Sequence, residues 1–124
     1  MATWEEIKSF IQNKYSHVEQ VNDNVLKGLF HWDESGRDHL FFCERINDTK
    51  IAFVAPVAKY TPENAIKLLE NNSSVFGIDL RGDPPLLCLV DPQEMATLDE
   101  EEINVAMVMT ADKLEQELFG GNEF

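Results

Sequence analysis

Two histidines flank a short polar loop. His31 and His39 lie on either side of Asp33-Glu34-Ser35-Gly36-Arg37, and Gly36 can adopt the positive φ that a hairpin loop needs. Centring the loop on Ser35 sets His31 across from His39, Trp32 from Asp38 and Asp33 from Arg37. Two imidazoles on one face are the start of a divalent-metal site, but the next residues on that face, Leu29 and Phe41, supply no third ligand. The expectation is a solvated cross-strand pair and no metal; His17, in polar sequence, reads the same way. Cys43 and Cys88 both sit in apolar runs without a CxxC or Cys/His spacing, which points to two buried thiols rather than a disulfide. Ser9, Ser16, Ser35, Ser73 and Ser74 lack a nucleophile elbow. Glu44 is mid-strand, where burial would raise its pKa, yet beside Arg45 it reads as solvated. The glycines form no phosphate loop, and the acids from Asp91 to Glu102 are too contiguous for a calcium loop. No catalytic residue and no cofactor site are expected.

The elements that carry these residues are legible from caps and periodicity. Thr3-Trp4-Glu5-Glu6 is a capping box, and Trp4, Ile7, Phe10 and Ile11 fall on one face of a helix ending near Lys14–Tyr15. Asn22-Asp23-Asn24 is a turn. Val25–Trp32, His39–Ile46 and Ile51–Val57 then read as a three-stranded antiparallel meander. Its alternation is imperfect, because Leu29-Phe30 and Phe41-Phe42 put bulk on both faces. Thr61-Pro62 starts a second helix with Ala65, Ile66, Leu68 and Leu69 as its buried stripe. Val75–Leu80 and Leu86–Val90 make a second hairpin around Arg81-Gly82-Asp83. Thr97-Leu98-Asp99-Glu100 opens a long last helix to about Leu118, with four acids at its positive dipole end and Gly120-Gly121 as its stop. The expected order is α-β-β-β-α-β-β-α, a single α+β domain over residues 1–124.

Composition narrows the partner classes. The chain of 124 residues carries 23 acidic against 10 basic side chains, a net charge of -13. Such a surface repels a phosphate backbone and an anionic bilayer, so neither nucleic acid nor membrane is an expected partner. No apolar run approaches the ~20 residues of a membrane span, and Glu5 and Glu6 stand where a secretory leader would carry base. A cytoplasmic location is expected.

The last helix carries the most information about partners. Ile103, Ala106, Met107, Thr110, Leu114 and Leu118 form one stripe, expected to face the sheet. Val105, Val108 and Met109 fall on roughly the opposite side. Either another helix of the same chain covers them, or they present an apolar patch to a second chain.

The stretches Tyr60-Thr61-Pro62-Glu63-Asn64-Ala65, Leu68-Leu69, Asn71-Asn72 and Phe76-Gly77-Ile78-Asp79-Leu80-Arg81-Gly82 resemble the central part of YbjN-type proteins. These are small bacterial proteins whose fold is similar to that of type III secretion chaperones. Thr3-Trp4-Glu5-Glu6-Ile7 and the closing acidic helix extend the likeness over most of the chain. The shared motifs are structural and carry no catalytic signature. Secretion chaperones are typically small acidic dimers that bind partner polypeptides, so the resemblance implies a protein-binding role. The expectation is a non-enzymatic chaperone-like or adaptor module, a homodimer that binds a partner protein or peptide. Its binding residues would be Val105, Val108 and Met109 on the last helix, with Leu29 and Phe41 on an exposed sheet face. The alternative is a small-molecule-sensing regulatory domain with a pocket between sheet and helices near Trp32 and Phe42.

Overall fold

The computed structural model describes residues 3–15, 17–32, 37–71, 76–80, 84–95, 106–120 and 124. Among the described residues nine elements follow one another: α1 (Trp4–Lys14), β1 (His17–Asn22), β2 (Val25–Trp32), β3 (Arg37–Arg45), β4 (Lys50–Lys59), α2 (Pro62–Asn71), β5 (Phe76–Asp79), β6 (Leu86–Glu94) and α3 (Ala106–Phe119). The fold is α+β, as expected, and all strands form one antiparallel sheet in the order β1-β2-β3-β4-β6-β5. The element order differs from expectation by one strand. His-Val-Glu-Gln-Val-Asn folds as β1 on the sheet edge, where only Val18 is half-buried. An edge strand with one half-buried apolar side chain has no apolar alternation to announce it.

The helix starts follow their caps. The Thr3 hydroxyl accepts from the Glu6 amide and donates to the Glu6 carboxylate, both at 3.2 Å, closing the box through side chains. Trp4, Ile7 and Ile11 are buried on one face of α1, and the Trp4 indole donates to the Asp23 carbonyl at 2.8 Å, pinning the helix to the β1–β2 turn. Thr61 accepts from the Asn64 amide at 3.0 Å and so caps α2. In α2, however, Leu68 is fully buried whereas Ile66 and Leu69 are exposed, so its expected four-residue stripe is not the buried face. The capping box at residues 97–100 lies outside the described residues.

All three helices bury side chains in one core on one side of the sheet, against Leu26, Phe41, Cys43, Phe53 and Leu89 among others. Each such large apolar side chain contributes ~1.5–3 kcal/mol on full burial. Phe41 lies over Gly28, where an added Cβ would stand 2.6 Å from the ring, and Tyr15 meets the same ring edge-on at 5.6 Å. Glycine at 28 is the space that lets the ring lie flat on the strand. The other side of the sheet carries a smaller cluster drawn from strands alone: Ala52, Val54 and Cys88, with Phe42, Leu86 and Val90 against them. The central strand β4 is therefore buried on both faces.

Candidate functional site

The β2–β3 register decides what the sheet presents on each side. His31 pairs with Asp38, Trp32 with Arg37 and Phe30 with His39, one residue out of step with a loop centred on Ser35. Because side chains alternate, one step of register moves every partner to the other face. His31 and His39 do not share a face. His31 is exposed, its Nδ1 2.6 Å from Asp38 Oδ1, whereas His39 is fully buried. For the same reason Leu29 and Phe41 part company, Leu29 opposite Leu40 and Phe41 opposite Gly28.

This corrects two of the expected binding residues. Phe41 belongs to the core of a single copy, and so does Val108, each with 0% of its surface exposed. Met109 is 54% exposed and Leu29 is exposed, while Val105 lies outside the described residues. Helix α3 buries Val108, Ala111, Asp112, Leu114 and Glu115 and exposes Met109, Thr110 and Lys113. Its buried face is thus rotated by about 100°, one residue step, from the apolar stripe read in the sequence. The cause is Asp112 and Glu115: an apolar-stripe reading assigns both acids to solvent, whereas both are buried on the sheet side.

They are buried because His39 meets them. The β3–β4 ladder runs from Arg45–Ile51 to Phe42–Val54, and beyond it β4 shifts register against β6 between Pro56 and Ala58. Proline has no amide to give to a ladder, and a bulge re-aims its neighbours. The Pro56 carbonyl accepts from His39 Nε2 at 2.7 Å. On the other side of the ring, Nδ1 stands 3.2 Å from Asp112 Oδ1 and 3.7 Å from Glu115 Oε1. The two acids are three residues apart on α3, one turn, and so share a face. Gln116 Nε2 donates to Asp112 Oδ2 at 2.8 Å, and the Phe124 amide donates to Glu115 Oε2 at 3.1 Å. Nothing in the sequence pairs residue 39 with residues 112 and 115 except their polar type inside otherwise apolar faces.

A cleft of about 290 Å³ opens beside this cluster, lined by Lys59, Asn64, Lys67, Glu115, Leu118 and Phe119 among others. Lys67 Nζ lies 5.8 Å from the Phe119 ring centre, in cation–π range. On the opposite face of the sheet is a groove of about 360 Å³ over the second cluster, bounded by Glu44, Ile46, Val54, Ile78 and Val90. It ends at β5, whose outer edge pairs with no other strand among the described residues. The pocket expected near Trp32 and Phe42 is not the cleft found, since Phe42 lies in the cluster on the strand-only face.

Cys43 and Cys88 form no disulfide and are both buried, on opposite sides of the sheet: Cys43 in the helix-covered core and Cys88 in the strand-only cluster. Burial, with the neighbouring Glu44 carboxylate adding to it, pushes the Cys43 thiol up to about 12, far from a nucleophile's range. Among the described residues, no helix is long and apolar enough to cross a membrane. No protein-family model matches the chain, and no curated protein is significantly similar to it.

Proposed function

We propose that the chain is a non-enzymatic, chaperone-like or adaptor module of the cytoplasm that self-associates and binds a partner polypeptide through apolar surface. The observation that carries this is the groove on the strand-only face, floored by Ala52, Val54 and Cys88 and continued by exposed Ile46 and Ile78 to the edge strand β5. An extended segment added at that edge would gain main-chain hydrogen bonds and lay alternate side chains toward the groove. Ile66 and Leu69 on α2 and Leu80 after β5 add further exposed aliphatic surface along the same stretch of chain. The acidic balance suppresses non-specific contact and argues against nucleic acid or membrane as partner. This keeps the kind of role implied by the YbjN-type and secretion-chaperone resemblance and moves its surface from α3 to the sheet.

Light scattering on the wild type and on Ile46→Glu/Ile78→Glu tests it. Both side chains are exposed, so the variant should keep its circular dichroism while a wild-type dimer falls to a monomer. A wild type that stays monomeric at high concentration removes the dimer, and a dimer untouched by the substitutions removes the groove.

A second reading, a small-molecule sensor, is favoured by the cleft between β4, α2 and α3. Two lysine side chains beside Leu118 and Phe119 suit a small anion with an apolar body. It requires a thermal shift with such a compound that Lys67→Gln abolishes.

A further inference from the structure

We propose that His39, Asp112 and Glu115 bind one divalent transition-metal ion of the zinc class. A carbonyl oxygen only accepts, so the 2.7 Å contact with Pro56 puts a proton on His39 Nε2 and turns Nδ1 toward the two acids. Three atoms that all bear lone pairs, Nδ1, Asp112 Oδ1 and Glu115 Oε1, then lie within 4.8 Å of one another in a buried place. Such a convergence of donor atoms is a place that can hold a cation.

The spacing of the three groups accommodates a cation. The exposed His31–Asp38 pair closes to 2.6 Å, as a hydrogen-bonded imidazole and carboxylate do, whereas His39 stands 3.2 and 3.7 Å from its two acids. Donors bound at ~2.0–2.1 Å around a tetrahedral ion are separated by about 3.3 Å, which the 3.2 Å spacing to Asp112 matches and which Glu115, at 3.7 Å, reaches by closing in on binding. The surroundings are those of a metal-ligating set as well. Pro56, Gln116 and the Phe124 amide hold the far atoms of the three side chains, orienting Nδ1, Oδ1 and Oε1 inward. A neutral imidazole and two carboxylates match the charge of a divalent ion, and the nitrogen donor selects zinc-class metals over calcium or magnesium. Glu115 also lines the cleft, which supplies an entry path and room for a water as fourth ligand.

The expectation of no metal rested on the lack of a third ligand beside His31 and His39; the register separates the two histidines, and the further ligands come to His39 from α3. The test is titration of chelator-treated, full-length protein with Zn²⁺, Mg²⁺ and Co²⁺. The site requires one Zn²⁺ per chain, a raised melting temperature, no response to Mg²⁺, and the visible absorption of four-coordinate Co²⁺. Asp112→Asn and Glu115→Gln should each weaken zinc binding by roughly tenfold or more, while His31→Gln leaves it intact. Zinc uptake that is absent, that persists undiminished in both acid variants, or that is lost in His31→Gln overturns the proposal. Should the acid variants fail to fold, the wild-type cobalt spectrum decides, and its absence is a refutation.

Discussion

Cys43 lies against Phe53 in the β3–β4 ladder, under the helices, and its thiol is held neutral there by the loss of water and by the Glu44 carboxylate next in sequence. Its pKa rises from an ordinary 9.0 to about 12. The thiol therefore ionises more readily in the unfolded chain, which binds fewer protons than the native state once pH exceeds the ordinary value. Stability contributed by the neutral thiol is intact below about pH 9 and drains away on the climb toward 12, with a slope approaching ~1.4 kcal/mol per pH unit. Tyr15, raised by burial, acts in the same direction. Chemical denaturation of wild type and Cys43→Ala across this alkaline window checks it: the variant should lose part of the slope, whereas Cys88→Ala keeps it. A thiol reagent should label neither cysteine of the native protein at neutral pH.

Helix α3 shows how one element can be legible in existence and misread in phase. Val108 is fully buried and Met109 half-exposed, so the two neighbours should respond oppositely to the same substitution. Val108→Glu buries a carboxylate in the core and should cost upwards of ~3 kcal/mol by urea denaturation. Met109→Glu should stay within about 0.5 kcal/mol of wild type. Equal effects would mean that the helix sits on the sheet by some other face. Where local chemistry determines an element, the sequence was enough: Thr3 and Thr61 mark two helix starts, and β2 has the expected bounds, Val25–Trp32. Polar β1 carried no such signal, since pairing with β2 rather than burial makes it a strand. The His39 cluster was hidden for a related reason. It depends on a one-residue choice of hairpin register and on two acids buried by a partner more than 70 residues away (73 for Asp112), neither of which periodicity can register. Strand order was equally out of reach, because inserting β6 between β4 and β5 is a long-range pairing.

At the scale of the whole molecule, charge and apolar surface pull against each other, and that opposition gives self-association a signature. Every copy carries a net charge of -13, so two copies repel before any groove can meet an edge strand. That repulsion reaches ~30 Å at 0.01 M salt and about 8 Å at 0.15 M. Burial of Ile46, Ile78 and the floor of the groove is not screened by salt in this range. A dimer built on the sheet face should therefore strengthen as ionic strength rises, with a lower dissociation constant at 0.15 M than at 0.01 M by sedimentation equilibrium. A basic partner segment would behave in the reverse sense, drawn in by the acidic surface at low salt and released at high. The sign of the salt dependence thus separates the two occupants of one groove before either is identified. A dimer that weakens with added salt would show that ion pairs hold it together, and would remove the apolar groove as its interface.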